Sequence, residues 1–429
     1  MPLNRRLLIG GTSAAAVATT AAAFAAPTTS HAAVTGSGTV VKTGADVQAA
    51  QGWAALTGRK LGILSNPTGI LADGTHIVDN MAAANLDILG VFGPEHGFRG
   101  TAQAGGSEGT SIDPRTGLTV YDLYGASVSR MTTIFQTSGI DTMVFDIQDV
   151  GSRFYTYIWT MYNAMRACVR AGVRFMVLDR PNPVGGVAKG PLMTQPFTSF
   201  VGLEAIVQQH GMTAGELAQL FNGEFLPEDE GGAKLSELTI IAAKGWAPRD
   251  LFAETNLKFV PPSPNMPTPD TSLLYPGTCM FEGTTLSEGR GTTRPFELVG
   301  APYVDYRWAE RLNTRNIPGV LFREAYFTPT FSKHTGAICG GVQVHITDPH
   351  ALDAIRVGVE MLVALKSLYP TDFAWRSDNW IDKLTGSSRL RTQINAGASA
   401  DEVVGAWQAE LAAFDAMRQQ YLIYPGKRG

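Results

Sequence analysis

The sequence predicts an α/β protein: a Rossmann-like, mostly parallel sheet domain followed by a smaller α/β (α+β) C-terminal domain. Three observations predict it. Short apolar runs of strand length alternate with amphipathic helical stretches through the first two thirds of the chain, the pattern of parallel strands joined by crossover helices. Four of those runs end in polar loops rich in Gly, Pro, Asn and acids: SNPTG (65–69), GPEHG (93–97), DIQDVGSR (146–153) and DRPNPVGG (179–186). The chain has 429 residues, 44% of them hydrophobic, which is too long for a single core.

The elements are read in chain order. Val47–Leu56 reads as a helix and Lys60–Leu64 as a strand. Ile77–Ala84 is a helix, and Leu86–Phe92 is the strand before GPEHG. Thr119–Leu123 is a short strand, Met131–Thr137 a helix and Thr142–Ile147 a strand. Tyr157–Ala171 is a helix carrying Cys168 and Trp159 on a core face. Arg174–Leu178 is a strand, Thr213–Asn222 a helix and Leu238–Ala242 a strand. Pro261–Pro276 is proline-dense and reads as a stiff, extended connector. Strand and helix patterns return at Gly341–Ile346, Ala351–Leu368 and Ala400–Tyr421. The expected domains are 45–262 and 277–429.

Residues 1–32 read as an export signal rather than fold. Arg5-Arg6 precedes an Ala/Thr-rich apolar stretch, and Ser30-His31-Ala32 places small residues at the cleavage positions, with the Arg pair pointing to the twin-arginine route. The expected location is extracytoplasmic, after cleavage near Ala32. No later segment has the roughly 18 uninterrupted apolar residues of a membrane helix. Net charge is −4 with 17% charged residues, so no basic surplus argues for nucleic acid. Cys168, Cys279 and Cys339 form no CxxC pair, and the seven histidines form no HxH or HExxH. A metal site is not expected. A Cys279–Cys339 disulfide is open to an exported chain.

The chain has no P-loop, no GxGxxG between strand and helix, and no GxSxG elbow. That excludes the usual NTPase, dehydrogenase and α/β-hydrolase chemistries. Ligands of parallel sheets bind beyond the carboxyl ends of the strands, so the four loops are expected to build one site. Glu95 sits at the tip of GPEHG, where glycines allow close backbone approach and an acid can carry a proton. His96 and His210 each adjoin a glycine and are expected to touch ligand. Asn66 belongs to the first loop. Asp146 and Asp149 flank Gln148, and Arg153 and Tyr155 come next, a set suited to sugar hydroxyls and ring faces. Arg180 and Asn182 are held between prolines as ligand contacts. Glu216 completes a capping box with Thr213. In the second domain Glu282, Glu288, Arg290 and Arg294 lie in a Gly/Thr-rich loop without an apolar run, expected to act as a lid over the site.

With SNPTGI, VFGPEHGFRG, DIQDVGSRFYTYIWTM, DRPNPVGG, SFVG, HGMTAGELA, PPSPNMPT, LYPGTCMFEGTTLSEGRGTTRPFELVGAP and GVQVHITD in order over residues 60–348, the chain resembles the NamZ (YbbC-like) exo-β-N-acetylmuramidase family. The resemblance implies a glycosidase that releases N-acetylmuramic acid from the non-reducing end of peptidoglycan fragments. It implies a cleft between two domains and no nucleotide or metal cofactor. Glu95 matches the family's catalytic carboxylate. Lys189, in VAKGP, stands where relatives often carry a further acid. The second carboxyl that glycosidases usually need is then open among Asp146, Asp149, Glu282 and Glu288, with substrate assistance by the acetamido group as another route. Arg153, Arg180 or Arg290 is expected to hold the lactyl carboxylate of muramic acid. Lys189 also favours an alternative, a wall-sugar-binding protein without turnover.

Overall fold

The structure, a computed structural model, describes residues 40–428; the expected export signal lies outside them. Seven strands form the main sheet: β1 (Leu61–Ser65), β2 (Ile88–Gly93), β3 (Ser111–Ile112), β4 (Thr119–Asp122), β5 (Thr142–Asp146), β6 (Arg174–Leu178) and, after the hairpin β7 (Lys189–Leu192) and β8 (Val207–Gln209), β9 (Leu238–Ile241). Their order is β3-β4-β2-β1-β5-β6-β9. Every pairing is parallel except β3 with β4. The chain runs outward from β1 through β2 to β4, then returns to the other side of β1 at β5. This reversal creates a switch point between β1 and β5, where doubly wound sheets form their crevice.

The sheet is covered on both faces, which is why its strands are apolar throughout rather than alternating. All five residues of β1 are buried. On one face Leu64, Phe92, Phe145 and Val177 pack with Phe135 of helix Val128–Ser138 and with Tyr162 and Met165 of helix Tyr157–Ala171. On the other, Ile63, Val91, Val144 and Met176 meet Ala45, Val78 and Met81 from helices Gly44–Ala50 and Ile77–Ala83.

A second, antiparallel sheet has the order β10 (Leu298–Ala301), β12 (Cys339–Ile346), β11 (Val320–Phe327). Its core joins Val342 and Val344 to Trp308 and to helix Ala354–Leu368. The end of the chain returns to the first sheet: Phe414 enters its core, and the Tyr424 hydroxyl donates to Asp179 at 2.7 Å.

Several expectations are corrected. Proline density does not keep Pro261–Pro276 extended, because Pro269–Thr278 is a helix. Thr268 caps it and Pro269 occupies its first turn, where the missing N–H costs nothing. Gly277 faces the helix Ala354–Leu368, and a Cβ on it would lie 1.7 Å from the Ala354 carbonyl oxygen. The expected helix Val47–Leu56 ends at Ala50, since Gly52 and Trp53 both take positive φ. Ala400–Tyr421 divides into Ala400–Gly405 and Gln408–Arg418. The segment 277–305 does contribute core: Met280, Phe281, Leu286, Val299 and Ala301 are buried. All three cysteines are free and buried.

Candidate active site

A cavity of about 740 Å³ opens beside the carboxyl end of β2, between the main sheet and residues 263–296, 331–333 and 376–380. The GPEHG turn supplies its acid. His96 and Gly97 both adopt left-handed backbone, with φ of 70° and 86°. A Cβ on Gly97 would collide with Glu108 at 2.2 Å, so only glycine fits. The loop is knitted to the segment after it: His96 N–H donates to the Gly106 carbonyl at 3.0 Å, and Glu108 accepts from the Arg99 and Thr101 N–H groups.

Glu95 is half-buried at the cavity wall. Oε1 accepts from the Gly105 N–H at 2.8 Å and Oε2 from the Thr156 hydroxyl at 2.7 Å. Two short bonds fix the carboxyl in place, and each oxygen keeps a second acceptor site. His96 also lines the cavity. Its Nδ1 lies 3.0 Å from the Ala102 carbonyl oxygen, which can only accept, so Nδ1 carries a proton and Nε2 is free of that bond.

Opposite, Arg290 bridges two acids: Nη2 to Glu282 Oε1 at 2.6 Å and Nε to Glu288 Oε1 at 3.1 Å. The guanidinium also stacks over Phe296, 5.0 Å from its centroid. Although burial opposes its charge, Glu282 and Glu288 outweigh that and raise the Arg290 pKa. Lys333 Nζ reaches Glu288 Oε2 at 2.8 Å and donates to the carbonyls of Phe281, Thr284 and Leu286. This segment is a packed wall, with Leu286 and Phe296 buried, rather than the lid its charge and glycine content suggested. Arg294 pairs with Glu297 at 3.2 Å and is not part of the lining.

Aromatic side chains complete the cavity, among them Tyr124, Tyr155, Tyr275, Phe200 and Trp380. Tyr155 is 8% exposed, and its hydroxyl has no hydrogen-bond partner among the described residues. Arg376 lies over Trp380 at 5.3 Å and pairs with Asp378 at 2.7 Å.

Of the residues expected at the site, Glu95, His96, Tyr155, Glu282, Glu288 and Arg290 line this cavity, whereas the others do not. Asp146 is fully buried, and its two oxygens accept from Arg180 Nε and Nη2 at 2.5 and 2.9 Å. That ion pair plugs the switch point between β1 and β5. Asn66 folds back on Thr68, with Oδ1 accepting at 3.0 and 2.6 Å. The Gln148 amide donates to the carbonyls of Asp149 and Pro181. Asn182 Nδ2 donates to the Met212 carbonyl at 2.9 Å. His210 is inaccessible. Its Nδ1 accepts the Met212 N–H at 3.2 Å, so Nε2–H donates to Asp149 Oδ2 at 3.0 Å. Arg153 is fully buried with no carboxylate partner among the described residues and donates to the carbonyls of Pro191, Ile206 and Leu384. Burial lowers its pKa to about 9. These groups are buried and spend most of their hydrogen bonds inside the protein, away from the Glu95 cavity.

Asp179 accepts from Thr213, Tyr424 and the Gly215 N–H. Lys189 stands outside the cavity on β7 and donates to the Leu352 carbonyl at 3.0 Å. Arg376, Trp380, Lys333 and Tyr124 were missed as site residues. Nothing in the WRSDNW stretch that carries the first two marks it as functional; Phe200 and Asn265 do lie inside the quoted motifs SFVG and PPSPNMPT.

Models of exo-beta-N-acetylmuramidase NamZ match residues 61–270 with the N-terminal part and 273–424 with the C-terminal part. The peptidoglycan beta-N-acetylmuramidase NamZ of Bacillus subtilis (strain 168) is 44% identical over 387 residues, 90% of this chain and 91% of that one. Two crystal structures of DUF1343 family proteins from Bacteroides fragilis, each 31% identical, superpose with TM-scores of 0.80 and 0.72. They account for 90% and 91% of this chain and for 99% and 100% of their own. On this evidence the chain belongs to the exo-β-N-acetylmuramidase NamZ family, a family of glycosidases.

Proposed function

We propose that this protein is an exported exo-β-N-acetylmuramidase that releases N-acetylmuramic acid from the non-reducing end of peptidoglycan fragments, with Glu95 as its proton donor. The observation that carries the reading is the fixed Glu95 carboxyl, held by Thr156 and Gly105 at the wall of an aromatic-lined cavity. In the reaction the Glu95 proton passes to the glycosidic oxygen as the bond from C1 to that oxygen breaks. Positive charge then develops at C1. Glu282 is suited to stabilise it: one of its oxygens is tied to Arg290, while Glu288 is held by cations at both oxygens. Water completes the cleavage, its hydroxyl going to C1 and its other proton restoring the Glu95 carboxyl.

Arg376 is the proposed reader of the lactyl carboxylate. Arg290 and Lys333 are already committed to acids and carbonyls. Arg376 has a single exposed partner, Asp378, and exposed pairs of that kind are weak. Export is supported by the twin arginines and the Ala-rich stretch of residues 1–32, and by a substrate that lies outside the cytoplasm.

The test is product analysis on a muramic acid–glucosamine disaccharide with muramic acid at the non-reducing end. Release of free N-acetylmuramic acid is expected, with turnover lost in Glu95→Gln. Binding of the disaccharide without cleavage would select the sugar-binding alternative, and near-full rate in Glu95→Gln would remove Glu95 from the role.

A further inference from the structure

A second cavity, about 710 Å³, adjoins the first, and Tyr124, Thr156 and Phe200 line both. The partition between them therefore includes the residue whose hydroxyl holds Glu95. Thr156, Thr160 and Asn163 line this second space at helical spacing, from the start and first two turns of helix Tyr157–Ala171, so they share one face. The Asn163 amide makes no side-chain hydrogen bond among the described residues and is only half-buried. Its two donors and its acceptor are available to a ligand.

The charges of the two cavities differ in a way that sorts the two halves of a substrate. In the second, the lining acids are Glu204 and Asp229. The lining cation Arg166 is already bound to Asp229 at 3.0 Å and to Glu230 at 2.7 Å. Burial, then the charge of Asp229, pushes the Glu204 carboxyl up to about 7. A sugar carrying a carboxylate finds no unpaired cation among the described lining residues, while a neutral sugar finds hydroxyl, amide and carboxyl partners. The first cavity holds Arg376 and suits the carboxylate-bearing ring.

A proton donor to a glycosidic oxygen sits between the two rings that oxygen joins. Glu95 is bonded to the partition between the two spaces, through Thr156. We propose that the second cavity is the leaving-group site, receiving the neutral N-acylated amino sugar next to muramic acid in the substrate. This inference rests on the muramidase reading and gives it a direction: non-reducing ring in the first cavity, departing saccharide in the second.

The experiment compares kcat/KM on the muramic acid–glucosamine disaccharide with kcat/KM on a nitrophenyl muramide, whose leaving group offers no sugar hydroxyls or acetamido group. For Asn163→Ala the ratio of the two constants is expected to fall about tenfold, the worth of a lost hydrogen-bond set of about 1.4 kcal/mol. Asn163→Trp, which fills the space, is expected to lower it further. Partial misfolding scales both rates alike and leaves the ratio untouched. A ratio within twofold of wild type in both variants overturns the assignment. Wild-type protein that cleaves neither substrate overturns the muramidase reading, and the inference falls with it.

Discussion

The hydroxyl of Thr156 is 2.7 Å from Glu95 Oε2, although the two residues lie 61 positions apart. Thr156 is the N-cap of helix Tyr157–Ala171, yet its side chain makes no capping bond; it is spent on the carboxyl instead. Thr156→Val should therefore cost the helix little and the reaction much. Loss of one hydrogen bond to the carboxylate that forms as Glu95 gives up its proton is worth about 1.5–3 kcal/mol, or roughly 10- to 150-fold in kcat/KM. Steady-state kinetics beside a melting curve separates the two effects. An unchanged rate would mean that Thr156 does not position the acid.

Arg376→Ala should raise KM for a muramide by about tenfold or more, the worth of a charge-assisted hydrogen bond to the lactyl carboxylate. Its partner Asp378 is exposed, so little stability is at stake. Melting within about a degree of wild type is expected, as for other surface changes. If KM for the muramide stays at the wild-type value, another group reads the carboxylate.

Arg153 should behave in the opposite way. Its guanidinium satisfies three buried carbonyls, two on or beside the β7–β8 hairpin and one at Leu384. Arg153→Met keeps the stem but orphans those acceptors, at a cost of about 3 kcal/mol or more. Thermal or urea unfolding should show the loss, and KM of the remaining folded enzyme should be close to wild type. A raised KM without destabilisation would return Arg153 to the ligand.

The Glu95 loop also carries an acid-sensitive clamp. Arg99 Nε and Nη2 donate to Asp113 Oδ1 and Oδ2 at 3.0 and 2.8 Å. Burial pushes the Asp113 carboxyl up, but Arg99 and Thr116 outweigh it and hold it at about 2, below its ordinary 3.8. A carboxyl lowered on folding stabilises above its unfolded pKa, and that contribution is lost as pH falls through the folded value. The melting difference between wild type and Asp113→Asn should thus be full near pH 6 and shrink between pH 4 and pH 2. A difference that stays constant down to pH 2 would show that the pair contributes no such linkage.

Much of the fold was legible because its signals are local. Apolar runs such as Leu61–Leu64 and Val91–Phe92 announce strands buried on both faces, and the Thr213–Glu216 capping box marks a helix start within four residues. The antiparallel strand Val320–Phe327 escaped notice because its burial is patchy. The helix Pro269–Thr278 was hidden because proline is favourable in a first turn yet reads as a breaker.

The sequence by itself determined an α/β chain whose parallel strands end in polar loops, with Glu95 at the tip of one of them. Only the tertiary structure decided which polar groups on that sheet edge are satisfied internally and which face open space. Asp146 meets Arg180 from 34 residues away and Asp149 meets His210 from 61, and neither pair lines the Glu95 cavity. Arg376 and Trp380 reach the Glu95 cavity from the far end of the chain. A buried polar group must find a partner, and local sequence does not say whether that partner is another side chain or a substrate.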